Sequence, residues 1–162
     1  MSESARMKAE EVFSTICKTF DGIGWKYTPD EENLILRCGF IGEDLPMDFY
    51  IRVKPEISSV ILLSELPFRV PEEKRLSMAV AVCAVNDVII DGCFDFDITD
   101  GQLVFRMNNS YMDCEPTEEV FRYMMGYSGG VVDAYNDKFL MLIKDLTTVE
   151  KFLAQIYHLE EN

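Results

Sequence analysis

Gly126-Tyr127-Ser128-Gly129-Gly130 fits G-x-S-x-G, the pattern that in serine hydrolases lifts a nucleophilic hydroxyl onto a sharp turn. Asp133 and His158 follow in the order in which the acid and base of such a triad would come. The chemistry needs a strand that runs into a strained turn and opens a helix, yet helical periodicity flanks this motif on both sides. The alternation of strands and helices that builds such an elbow is missing, as is a glycine-rich oxyanion loop. The paired glycines therefore read as an interruption of a helix, with a small hydrolase using Ser128 as the enzymatic alternative.

Asp95, Asp97 and Asp100 have the look of a calcium loop, but the spacing fails. Thr99 stands at the fifth position, Asp100 where glycine is needed, and Arg106 in place of the closing glutamate. Asp95 and Asp97 read instead as the solvated face of a strand. His158 is the one histidine, placed in an acidic C-terminal stretch with no Cys or Ser partner in a recognisable context. Acid–base work would rest on carboxylates alone, and none pairs by spacing. No phosphate-cradling glycine motif occurs. The expectation is a non-enzyme with no cofactor and no metal.

The nine methionines offer a different chemistry, adaptable apolar contact. Met124 and Met125 lie beside Tyr123 and Tyr127, and Met78 opens the longest unbroken apolar run, Met78 to Val85. Core filling is the plain reading of these side chains; a surface that accepts varied apolar segments is the sharper one. A helix apolar all round must bury both faces, one on a sheet and the other on a second helix or a second subunit. Ala79, Ala81 and Ala84 allow close approach. The expected partner or dimer contacts are thus Met78, Ala79, Ala81, Val82, Val85, Met124 and Met125. Phe49, Phe94 and Phe96 could line a pocket between sheet and helices in a third reading, a small-ligand sensing domain.

Elements must position these residues. Ala5, Ala9, Val12, Phe13, Ile16 and Phe20 recur at helical spacing, and Asp21-Gly22 and Gly24 end that helix. Trp25 and Tyr27 alternate with Lys26 before a Pro29-Asp30 turn. A loop centred on Glu43-Asp44 pairs Phe40 with Met47, Cys38 with Phe49, Leu36 with Ile51 and Leu34 with Val53, all apolar on one face. A strand through Val60 to Leu63 follows, its register open. Pro71 and the acidic Glu72-Glu73 open the helix that runs to about Ile90. With Asp100-Gly101 as a two-residue turn, Ile98 faces Leu103, Phe96 faces Phe105 and Phe94 faces Met107, and Asp95 pairs with Arg106. A long helix from Glu118 to about Leu142, interrupted near Gly129-Gly130, precedes a shorter one at about 148–159 built on Val149, Phe152, Leu153 and Ile156. The order α-β-β-β-β-α-β-β-α predicts an α+β fold, an antiparallel sheet with helices packed on one side.

The chain has 162 residues, of which 48% are hydrophobic and 27% charged, which fits one globular domain over 1–162. Its net charge of −14 repels nucleic acid and anionic lipid and suits a cationic or amphipathic partner segment. No apolar run approaches the roughly 20 residues that span a membrane, and Lys8, Glu10 and Glu11 argue against a leader peptide. Five cysteines without a Cys-x-x-Cys spacing read as reduced thiols, and with them a cytoplasmic location.

Leu66-Pro67, Val70-Pro71-Glu72-Glu73, Asn86, Gly92, Phe94, Asp97, Asp100-Gly101 and Arg106, with Trp25 ahead of the first strands, resemble the YbjN-domain family of bacterial sensory transduction regulators. The resemblance covers about Trp25 to Tyr135. It implies a fold similar to class I type III secretion chaperones, which are small, acidic, non-enzymatic and paired as dimers, and it carries no catalytic residues. The extra C-terminal helix is a departure that could cover the surface such a dimer uses. The expected function is a non-enzymatic protein-interaction module, a regulator or chaperone-like binder of a partner protein segment, with a homodimer expected.

Overall fold

The computed structural model describes residues 3–43 and 45–159. Along the chain these form α1 (Glu3–Ile23), β1 (Tyr27–Asp30), β2 (Ile35–Ile41), β3 (Pro46–Lys54), β4 (Ser59–Arg69), α2 (Arg75–Val88), β5 (Cys93–Asp97), β6 (Gln102–Ser110), α3 (Glu118–Ile143) and α4 (Val149–Ile156). The strands make one antiparallel sheet in the order β1-β2-β3-β4-β6-β5.

Strand alternation decides which face of the sheet is covered. Leu36, Cys38, Phe49, Ile51, Val60, Leu62, Phe94, Leu103 and Phe105 are buried, while Arg37, Tyr50, Arg52 and Asn108 between them are exposed. The helices lie on the buried face, so the architecture is the α+β arrangement expected. Val12, Phe13, Ile16 and Phe20 of α1 and Phe121, Val132 and Phe139 of α3 complete the core.

The first hairpin has the expected register, with Leu36 opposite Ile51, Cys38 opposite Phe49 and Phe40 opposite Met47. Asp44, which the sequence puts in its loop, lies outside the described residues. The second hairpin differs. Phe94 faces Phe105 and Phe96 faces Leu103, two residues away from the predicted pairing. The reason is the turn. The Asp97 carboxylate accepts from Thr99 N and Oγ1 at 2.8 and 2.6 Å, and the Asp100 carboxylate accepts from Gln102 N at 2.8 Å. These side-chain caps close a four-residue loop in place of a two-residue one. A slip of two keeps every residue on its face.

Two ends of the scaffold matter below. Gly24, at φ 71°, ends α1 in the left-handed conformation, with Gly24 N donating to Asp21 O and Trp25 N to Phe20 O at 3.2 and 3.1 Å. The Trp25 ring meets the Phe20 ring edge-on at 5.9 Å, the apolar contact that goes with this cap. Tyr27, hydrogen-bonded to Asp21, begins β1 where a turn at Pro29-Asp30 was predicted; Pro29 sits on a sheet edge, where a missing N–H costs no ladder bond. At the other edge, the Asn86 side chain accepts from Phe94 N at 2.8 Å and donates to Phe94 O at 3.0 Å, so α2 itself occupies the outward backbone groups of β5 at that residue.

Candidate functional site

The apolar run on α2 is the first place to look for contact. Met78, Ala81, Val82, Ala84 and Val85 are buried inside this chain. The second face that the sequence left for another helix or subunit is covered by α4, which packs along α2. Thr148 caps α4 by accepting from Lys151 N at 3.3 Å. Phe152 then stacks on Phe139 of α3 with centroids 5.9 Å apart. Met124 and Met125 are buried as core as well. Of the seven predicted contacts, Ala79, half-buried, and the edge of Val82 reach a surface groove beside α2, and Met125 reaches a second groove over α3.

That groove, about 650 Å³, runs between α2 and β5 and is lined by Ala79, Val82, Cys83, Asn86, Asp87, Phe96 and Ile98. Beside it α2 presents Leu76 (76% exposed) and Val80 (47% exposed), one turn apart, and Ile98 is 46% exposed across the groove. Sequence reasoning named the helix and missed this stripe, because an all-apolar segment does not say which of its faces a neighbour covers. The pocket imagined around Phe49 and Phe94 is filled. Phe94 makes edge contacts with Phe105, Phe139 and Tyr135 at 5.1–6.2 Å. Phe96 alone of the three reaches the groove.

Ser128 is fully buried in the middle of α3, its hydroxyl directed to the Met107 sulfur at 3.6 Å. No strand-to-helix elbow exists there. Helix α3 runs unbroken from Glu118 to Ile143, so the interruption expected at Gly129-Gly130 is absent. One helical turn presents Ser128 to the core and Gly126 and Gly130 to the outside, where a Cβ on either glycine would meet nothing within 4 Å. Together with Gly129 they floor a second groove of about 460 Å³. Its walls are Trp25, Met47, Met125 and Asp133, and Ile41, Gly42 and Glu43 from the β2–β3 loop.

The three aspartates of the suspected calcium loop are otherwise engaged. Asp100 accepts from Arg69 at 2.5 Å, Asp97 caps its turn, and Asp95 takes Arg106 through two oxygens at 2.6 and 3.1 Å. Among the described residues no cluster of three or more His, Cys, Asp or Glu is arranged to hold a metal. Arg106 donates from the diagonal position two residues off its strand partner Cys93, which is how this pair survives the slipped register. Its hydrogen bonds hold the Asp95 carboxyl below the usual range. A carboxyl depressed on folding stabilises above its unfolded pKa, and that contribution fades as pH falls through the folded value. Asp95→Asn should therefore lower stability at neutral pH, and progressively less as the pH falls through the acid range, in urea titrations across that range. Both side chains are well exposed, so the effect is small.

Tyr127 and Tyr123 tie α3 to the turn after α2. Tyr127 Oη accepts from Ile90 N and Asp91 N at 2.9 and 3.1 Å, and Tyr123 donates to the Asp91 carboxylate. That carboxylate pushes the Tyr123 phenol up to about 12.

No protein-family model and no curated protein matches the sequence. Solved structures share the fold. YbjN from E. coli, a candidate transcription regulator, matches with a TM-score of 0.56 at 16% identity, over 78% of this chain and 92% of its own. A chain of the HopA1–SchA chaperone–effector complex matches with a TM-score of 0.54 at 8% identity, over 85% of this chain and 99% of its own. The fold expected from the resemblance is the fold observed: YbjN-like, and similar to that of a chain in a chaperone–effector complex.

Proposed function

We propose that this protein is a non-enzymatic interaction module, a regulator or chaperone-like binder that docks an amphipathic segment of a partner protein in the groove between α2 and β5. The observation that carries this reading is the exposed apolar stripe of Leu76, Val80 and Ile98 flanking that groove on an otherwise strongly acidic chain. Apolar groups gathered beside a concave surface gain about 25 cal/mol per Å² when a partner covers them. Asp87 in the groove lining favours a segment that also carries positive charge. A fold shared with a chaperone–effector assembly and with a candidate regulator supports the same class of function. Five free thiols fit work in a reducing compartment, the cytoplasm, and among the described residues no helix is long and apolar enough to cross a membrane.

A second copy of the chain is the homodimeric form of the same contact. Ala81→Glu, the obvious probe from sequence, would bury a charge in the core and report on folding instead. Leu76→Glu combined with Val80→Glu places both charges on exposed positions. We expect this double variant to keep the melting temperature within about 2 °C, since surface changes stay near ±0.5 kcal/mol. It should lose either the dimer mass in light scattering or a protein captured by the wild type. The same mass and the same captured proteins for both chains would overturn the proposal.

A further inference from the structure

The groove over the glycine floor of α3 is remote from the α2 stripe in the chain, and its features are not explained by folding. Glycine in a helix interior is less stable than alanine, and at Gly126 and Gly130 nothing among the described residues occupies the space a methyl would take. Their neighbours are a chemically mixed set. Trp25, the single tryptophan, is 37% exposed at one wall, and Ile41 is 87% exposed at the loop. Two acidic residues, Asp133 and Glu43, line the groove, and among the described residues no Lys or Arg does.

Asp133 is held in place by the β2–β3 loop. Its Oδ1 accepts from the backbone N–H of Glu43 at 3.0 Å, which fixes the carboxylate against the β2–β3 loop. This approach depends on Gly42, where a Cβ would fall 2.0 Å from that oxygen. Neither Asp133 nor Glu43 forms an ion pair among the described residues, in a chain with many ion pairs elsewhere. A positioned carboxylate with one oxygen to spare, a second carboxylate on the loop and an indole in the same wall form a setting that a planar guanidinium suits. The apolar remainder, Ile41, Met47 and Met125, suits the aliphatic stem and flanking apolar residues.

We infer that this groove is a second docking site, for a basic side chain, arginine foremost, carried on an apolar stretch of a partner polypeptide. The inference does not rest on the α2–β5 groove, and the two sites separate experimentally. Because Trp25 is the only tryptophan, its fluorescence reports on this groove alone. The probe is the capped peptide acetyl-Leu-Ser-Arg-Leu-amide, compared with the same peptide carrying neutral citrulline in place of arginine.

The expected result is a saturable change in Trp25 emission, with the arginine peptide binding roughly tenfold or more tighter, as charge-assisted hydrogen bonds do. Asp133→Asn can still accept from Glu43 N and so keeps the loop, and it should remove the preference for arginine. Gly126→Leu with Gly130→Leu adds good helix formers that fill the groove, and it should weaken both peptides. Leu76→Glu with Val80→Glu should leave the titration unchanged. Equal binding of the two peptides, a preference that persists in Asp133→Asn, undiminished binding to the leucine variant, or no change up to millimolar peptide would overturn the inference. So would loss of binding in Leu76→Glu/Val80→Glu, which would put the cation at the other groove.

Discussion

Phe152→Ala is expected to cost about 3–5 kcal/mol of folding stability, a large share of the 5–15 kcal/mol typical of a domain. Phe152 lies on a helix of only eight residues, a length that has little stability of its own in water. Packing must therefore hold α4. Its ring stacks on Phe139, which meets Phe94 edge-on at 5.1 Å, which in turn meets Phe105 of the sheet at 5.2 Å. This aromatic series runs from the C-terminal helix to the sheet, and each contact adds to the area buried. Truncation leaves a cavity beside Phe139, whose ring is held in turn against Phe94 and is not free to collapse into it. Urea unfolding with an unchanged slope and a midpoint lowered in proportion is the expected observation. A midpoint that barely moves, with fast amide exchange confined to α4, would show instead that this helix detaches on its own and that α2 is only loosely covered.

Gly101→Ala should be nearly as damaging, by about 3 kcal/mol, for a different reason. Gly101 closes the β5–β6 loop at φ 80°, a conformation that side chains disfavour by about 1 kcal/mol or more. A Cβ there would lie 2.2 Å from the Val70 carbonyl oxygen, backbone that cannot swing aside. Relief requires the loop to retreat, and with it the Val70 N to Gly101 O hydrogen bond at 2.9 Å that ties the start of the α2 segment to the hairpin. Thermal unfolding of wild type and variant measures the loss. A shift of less than about 2 °C would mean the loop has another closed form.

The sequence disclosed the faces of this fold more readily than its registers. Alternation in Leu36, Cys38, Met47 and Phe49 fixes the first hairpin because a slip by one would turn every apolar side chain into water. The second hairpin slips by two, which alternation cannot detect, and the decision falls to the Asp97 and Asp100 side chains capping the turn. Val60 to Leu63 is continuously apolar, so only the assembled sheet shows Val60 and Leu62 pointing into the core while Ile61 and Leu63 stay half-buried on its outer face. The contacts assigned to Met78, Ala81 and Met125 reflect the same blindness. Apolar pattern reports that a residue will be covered, and says nothing of whether the cover is the same chain. The groove on α3 left one legible trace. Gly126, Gly129 and Gly130 fall at i, i+3 and i+4, one side of a helix, a spacing that read as a break only because glycine is a weak helix former.

The open face at Gly126 and Gly130 also makes this protein vulnerable to well-meant improvement. Alanine at either position would gain helix propensity with no clash, so a screen that ranks variants by melting temperature would enrich both changes early. Such a screen reads the isolated chain and is indifferent to what the bare surface admits. A lineage selected for heat resistance alone would thus drift toward a sturdier molecule with a shallower groove. Natural descent that keeps glycine at these two positions, against that constant pull, would be the mark of selection by something outside the fold.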